Sequence, residues 1–320
     1  MSNTGYLINA TTRHAIFVER YGHGRYNDLE PILNDMRDKI VKRLSKESNT
    51  DFQISRLFAL LADIDEITGK SFGQFSLDLS NELADFSKYE GGFYTRMLGG
   101  TIKIDAIEPA VEQLAAAVTD SEMVLTSDSG AVQRLSISQS INQFDVKKSQ
   151  EIRNLIQQGF IGGETTDEIT RKVISQVNGR TKAQARALVS TTISTASNVA
   201  HNETAKANSD VLRGEQIIAT LDSHTSDICI SADKTIWPVG KGPHPPLHWN
   251  CRSLRVMLVD PKYAIPGLEG TRASETGQVS ANLSYKGWLK LQPKAIREQV
   301  SIKKSYSLSE LAALEPVTFL

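Results

Sequence analysis

Apolar residues first recur with a clear period from Asn27 onward. In "NDLEPILNDMRDKIVKRLSKE", Leu29, Ile32, Leu33, Met36, Ile40 and Leu44 fall three or four residues apart with charges between them, the spacing of one helix face. The 27 residues before this carry scattered Gly, Asn and Thr with little periodicity, and they read as an extended N-terminal arm (1–27). A second helical stretch begins after Asp51, placed as an N-cap, with Gly91-Gly92 as its stop. Ile104 to Val118 reads as a further helix presenting Ile107, Val111, Leu114 and Ala115 on one face. Residues 28–145 therefore predict a helical region whose apolar stripes need partners. The Ser- and Gln-rich text "MVLTSDSGAVQRLSISQSINQF" shows short alternations, and a boundary is placed at its end, after residue 145.

From Val146 the helical rhythm returns. Gly162-Gly163 ends one helix, and Thr165 with Glu168 three residues later has the spacing of a capping box. Asn178-Gly179 ends that helix. Thr181 opens a long one to about Asn208, with a face of small residues (Ala185, Leu188, Val189, Thr192, Ala196, Val199, Ala200) suited to close packing. After Gly214 the period becomes alternating: "EQIIATLDS", "KTIWPV" and "SLRVMLVD" predict three strands, with Pro238, Pro243, Pro245 and Pro246 between them. Beyond Asp260, "PKYAIPGLEGTRASETGQVSANL" reads as a linker, "SYKGWLKLQPKAIREQVSI" as a last helix, and "SLSELAALEP" as a polar tail, so that 263–320 is linker, helix and tail. The fold class expected is α+β, a mostly helical N-terminal region followed by a module of helices and a small sheet over 146–262.

Composition narrows the classes. In 320 residues, 36 basic and 37 acidic side chains leave a net charge of -1, which gives no global attraction to nucleic acid or to an anionic membrane. The longest apolar runs, such as "LFALLA", are far shorter than a membrane span, and the first residues lack a basic stretch followed by an apolar core. Two cysteines argue against a disulfide-stapled secreted domain. The expectation is a soluble protein made in a cytosol, with no membrane partner.

Candidate chemistry concentrates in one window. Both cysteines and four of the six histidines lie between His201 and Cys251, and "GPHPPLHWNCRSL" (242–254) packs three prolines, two histidines, a tryptophan and a cysteine together. Cys229, His244, His248 and Cys251 supply the sulfur and nitrogen donors that tetrahedral zinc favours, with His224 as a spare. Neither cysteine has a partner two residues away, as zinc knuckles do, and the prolines alone would explain a stiff connector between strands. Both readings stay open, and these features favour the metal-free turn. Asp222, Asp227 and Asp233 would be the carboxylates of a hydrolytic metal site, although aspartates are common in turns for cheaper reasons. There is no phosphate-cradling Gly-Lys-Ser/Thr loop, no Gly-x-Ser-x-Gly elbow and no dinucleotide fingerprint.

Taken in order, "IRNLIQQGFIGGETTDEITRKVI", "AQARALVSTTISTASNVAHNETAKAN", "ATLDSHTSDICISADKTIWPV" and "PPLHWNCRSL" resemble the phage Mu F-like head-morphogenesis family, over roughly Val146 to Val259. The most specific residues are Asp222, Thr225 and Cys229 in D-x-x-T-x-x-x-C, then Pro245, Pro246, His248, Asn250, Cys251 and Arg252; "SYKGWLKLQP" resembles a segment that follows this domain in many members. Family members usually end the motif Cys-Arg-Cys, whereas this chain has Ser253, and their Arg-Thr-Glu triplet is replaced here by "STTIS" at Ser190 to Ser194. The resemblance implies a minor structural protein of a tailed-phage head, not an enzyme. It implies action in prohead assembly near the portal, with a role in DNA packaging or ejection. The partners implied are the portal protein, the major capsid protein and packaged double-stranded DNA; the location implied is the virion, reached from the host cytoplasm. The alternative is a metal-dependent nuclease or an ADP-ribosyltransferase-like phage enzyme.

Overall fold

The structure is a computed structural model that describes residues 4–47, 54–127, 129–263, 265 and 270–316. In chain order its elements are α1 (Thr4–Leu44), α2 (Ile54–Ile102), α3 (Val111–Asp120), β1 (Glu122–Thr126), β2 (Val132–Ser136), α4 (Ile137–Ile161) and α5 (Thr166–Gln176). A π-helical turn at Val177–Thr181 joins α5 to α6 (Lys182–Ala207). There follow β3 (Leu212–Ile218), α7 (Asp227–Ala232), β4 (Ile236–Trp237), β5 (Leu254–Val259), β6 (Thr271–Ser274), β7 (Gly277–Ser280), α8 (Tyr285–Lys290), α9 (Lys294–Gln299) and α10 (Leu308–Ala312). The fold class is α+β, as expected. Among the described residues no helix is long and apolar enough to cross a membrane. The capping position given to Asp51 lies outside the described residues.

The N-terminal arm is a correction: residues from Thr4 are helical. Leu7, Thr11, His14, Val18, Gly22, Tyr26, Leu29, Leu33, Met36, Ile40 and Leu44 form one buried helical face, with Gly5 and Ile8 buried beside it. Three of its first five members are polar or glycine, so a hydropathy period begins only where the apolar members do. The polar ones are satisfied inside. His14 Nε2 meets Glu90 Oε1 at 2.7 Å, and the Ser197 hydroxyl donates to the other oxygen of that carboxylate. The imidazole stacks on Phe93 with centroids 3.5 Å apart.

Other boundaries move as well. Gly91-Gly92 does not stop α2. A Cβ at Gly91 would stand 2.5 Å from Leu114 Cδ1, so glycine there admits α3 rather than ending a helix. The helix expected from Ile104 begins only at Val111, after Pro109; it buries Leu114 and Val118, and Ile107 is exposed. The alternations at 122–136 form an antiparallel hairpin, β1 with β2. Helix α4 then runs straight through the boundary placed after residue 145. The Thr165 capping box is formed in both directions. Asn178-Gly179 does not break the chain into two helices but sits in the π turn. The linker after Asp260 contains the β6–β7 hairpin, and the last helix is two short ones divided at Pro293. The polar tail holds α10, opened by a Ser307–Glu310 capping box, with Leu311 and Leu314 buried.

Contacts divide the chain into two units, each assembled from separated segments. One comprises Gly22–Glu82 and Ser138–Ser190. It is helical, and its core includes Leu33, Met36 and Ile40 of α1, Phe72 and Phe75 of α2, Phe144, Ile152 and Ile156 of α4, and Ile169 and Val173 of α5. A Cβ at Gly159 would fall 2.6 Å from Ile169 Cγ1, so this glycine sets the approach of α4 to α5.

The other unit comprises Met1–Tyr21, Leu83–Ile137 and Thr191–Leu320. Its centre is a three-stranded antiparallel sheet in the order β4-β3-β5, with Ile218 opposite Leu254 and Glu215 opposite Met257. Leu7 and Ile8 of α1, Tyr94 and Leu98 of α2 and Ala205 of α6 pack with Ile218, Val256 and Met257. Asp233, at the end of α7, ties this unit together: its oxygens accept from Ala219 N at 2.9 Å and Tyr285 N at 2.7 Å, and Arg272 pairs with it at 3.4 Å. Between β3 and β5, Arg255 Nη2 donates to Glu215 Oε2 at 2.9 Å, fully enclosed, with His201 Nδ1 3.4 Å from the other Glu215 oxygen.

This interior sets a pH dependence. Burial, with the charge of Arg255 added, holds His201 down at about 3. Burial, followed by the Arg255 charge, also pushes His244 well below its usual range, whereas burial raises Glu215. Between the ordinary histidine value of 6.5 and about 3, the unfolded chain binds a proton that native His201 refuses, so stability falls as pH falls through that window. Glu215 acts with the opposite sign, but only between 4.5 and its raised value. In urea unfolding at pH 7 and pH 5, the wild type is expected to lose about 2 kcal/mol more than His201→Gln on acidification. Equal losses in the two proteins would remove His201 as the source.

Candidate metal centre

The chain leaves β3 at Ile218 and returns in β5 at Leu254, residues that face each other across the sheet. Everything singled out in the sequence around the two cysteines lies in this excursion, and antiparallel pairing brings its two ends together. On the outgoing side, Asp222 Oδ1 accepts from His224 N and from the Thr225 hydroxyl, both at 3.0 Å, and Thr225 also donates to Thr220 O at 2.7 Å. This turn aims the chain into α7, whose third residue is Cys229. On the returning side, Arg252 grips the Asp222 carboxylate with both terminal nitrogens, Nη2 to Oδ1 at 3.1 Å. Thr220 Oγ1 donates to Arg252 O at 3.1 Å and repeats the link in reverse. The D-x-x-T spacing and Arg252 are thus one clamp. It holds Cys229 beside Cys251.

The connecting stretch is shaped by backbone constraint. Gly242 has φ +75°, and a Cβ there would lie 2.3 Å from Trp237 Cδ2, inside a rigid ring. The Pro245–Pro246 peptide is cis. Leu247 O accepts from Thr126 N of β1 at 2.8 Å, and Asn250, at φ +58°, donates its N–H to Thr191 Oγ1 of α6 at 3.0 Å. His248 and Cys251 are then set by a tight turn, Cys251 N donating to His248 O at 3.1 Å.

Three of the four proposed ligands meet. Cys229 Sγ is 3.3 Å from His248 Nε2 and 3.6 Å from Cys251 Sγ, and the three donor atoms lie within 4.8 Å of one another. The cysteines are 2 % and 5 % exposed, with Leu247, Ile228, Leu311 and Leu314 packed around them. His248 Nδ1 is 2.8 Å from Trp249 O, so the N–H sits on that nitrogen and Nε2 is turned to the sulfurs. The two thiols have diverging acidities. The hydrogen bond to Cys251 and burial drive Cys229 well up. Burial would raise Cys251 too, but the hydrogen bond from Cys229, then the neighbouring His248 side chain, bring it well down.

His244 is the correction to the four-ligand set. It lies outside the donor cluster, its Nε2 buried and under the influence of the Arg255, Lys206 and His201 charges. His224 is exposed, and shares with His248 the wall of a cavity of about 460 Å3. The aspartates named as hydrolytic carboxylates are spent internally: Asp222 in the clamp, Asp233 in its hub, and Asp227 accepting from Lys303 N and Lys304 N at 2.9 and 2.8 Å. The contributions of Thr126, Thr191 and α10 were not foreseen. Their only sequence signal was the Ser307–Glu310 capping pair, which marks a helix but not where it docks.

Gly242→Ala is expected to cost about 2–4 kcal/mol in urea unfolding, from the positive φ and the Trp237 ring together. Arg252→Ala is expected to cost about 2 kcal/mol, and Arg252→Lys to restore little of it because an ammonium cannot fork across the carboxylate. Full rescue by lysine would reduce the clamp to a point charge.

The part of the chain described above has a known counterpart. Residues 150–256 match the family model described as Phage Mu protein F like protein, a span that takes in α5, α6, the clamp, both cysteines and the three-stranded sheet up to Val256. No curated protein and no solved structure matches the chain. Over this segment, a third of its length, the chain is similar to phage Mu F-like proteins.

Proposed function

We propose that this protein is a minor structural component of a tailed-phage head that acts during prohead assembly at the portal. The observation that carries the reading is the family match over 150–256, which supports a phage head-morphogenesis protein. It coincides with the best-defined functional feature of the chain, the clamped Cys-His-Cys turn, and that feature is built like a structural staple. Its cysteines are buried, and the nearby aspartates are occupied by backbone and guanidinium donors. A nuclease or an ADP-ribosyltransferase would need free carboxylates around a substrate space.

Protein partners, the portal or the major capsid protein, suit a chain whose charges balance. The basic stretches "KKSQEIR" and "SIKK", the candidates for DNA contact, are largely used within the fold. Lys148 is buried against Glu151 at 2.6 Å, Arg153 pairs with Asp65, and Lys304 pairs with Glu310 at 3.5 Å. An extensive phosphate-binding face would leave such groups unpaired. A part in packaging or ejection would then work through the portal rather than through a DNA-binding surface.

The test is composition of particles. Purified proheads and mature heads are expected to contain the chain in a few copies, cross-linked to the portal, and phage lacking it are expected to accumulate defective heads. Absence from both proheads and heads would overturn the reading. So would a chelator-sensitive plasmid-nicking or NAD-consuming activity of the purified chain.

A further inference from the structure

We propose that Cys229, His248 and Cys251 hold a zinc ion. Two sulfurs on tetrahedral zinc stand about 3.8 Å apart, and a sulfur and an imidazole nitrogen about 3.6 Å. The distances here are 3.6 Å for Sγ to Sγ and 3.3 Å for Sγ to Nε2. Two of the three separations therefore match a zinc ion to within a few tenths of an ångström, and the third lies within 4.8 Å. The donors are soft thiolates and an imidazole with no carboxylate among them, the set that selects zinc over magnesium, calcium or manganese.

The second layer is that of a ligand histidine. The Nδ1–H of His248 is held by the Trp249 carbonyl at 2.8 Å, which fixes the tautomer that leaves Nε2 to the ion. The Trp249–Asn250 turn is itself pinned by Thr191, and the approach of the two cysteines by the Asp222–Arg252 clamp. A disulfide between the cysteines would not need an oriented imidazole. It would also require the sulfurs to close to about 2.0 Å.

The assignment goes beyond the head-protein reading and does not depend on it, because metal content is read on the purified chain. Full-length protein made in zinc-supplemented medium and desalted under reducing conditions is expected to carry one zinc per chain by elemental analysis. Cys229→Ser and Cys251→Ser are expected to lose it, and His248→Ala to weaken it at least about tenfold. Removing the ion with a chelator is expected to lower the melting temperature, and zinc to restore it. Should the cysteine variants fail to fold, cobalt titrated into the stripped wild type gives a second reading. Thiolate-to-cobalt charge-transfer absorption is expected, saturating at one equivalent and altered in His248→Ala. Wild-type protein that takes up neither zinc nor cobalt overturns the proposal. A zinc content unchanged in both cysteine variants does so too, as does an intact mass two daltons low with no alkylatable thiol, the signature of a disulfide.

Discussion

The antiparallel pairing of β3 with β5 is the constraint on which the rest of the C-terminal module depends. It places Ile218 opposite Leu254, and so forces the two ends of the intervening excursion to lie side by side. Asp222 can meet Arg252, and Cys229 can meet Cys251, only because the strands hold this register. A slip of one residue would turn every side chain to the opposite face. The buried Glu215–Arg255 pair makes such a slip costly, because it would strand two charges in the interior. The pair spans β3 and β5 diagonally, Glu215 facing Met257 and Ile217 facing Arg255. Its value is thus in specifying one pairing more than in adding net stability.

The same logic recurs elsewhere in this unit. Glu90 is fully buried and receives His14 and Ser197; Asp233 is nearly so and receives two backbone amides and Arg272. Such groups act as junctions: one carboxylate fixes several elements at once, and each junction is expensive to break. Carboxylates saturated by internal donors in this way position the scaffold.

Much of this was legible from the chain. The capping box at Thr165, the long helix from about Thr181 and the three strands after Gly214 follow from local rules, and the D-x-x-T and Cys-Arg segments stood out by residue type. What local rules misplaced was governed by neighbours distant in sequence. Gly91 looks like a stop until Leu114 is seen against it, and Thr11 and His14 look like a loop until Glu90 is opposite. The tail looked solvated because two buried leucines, Leu311 and Leu314, are too few to make a period.

By itself, then, the sequence determined the α+β class, most of the long helices, the three strands of the central sheet and the window in which Cys and His concentrate. It did so because propensity, capping and periodicity act within a few residues. Only the tertiary structure decided which members of that window meet. His244 and His248 are four residues apart, yet the second faces the sulfurs while the first is buried outside the cluster. Spacing along a chain limits which side chains can meet. Strand register, and the packing around it, selects which of them do.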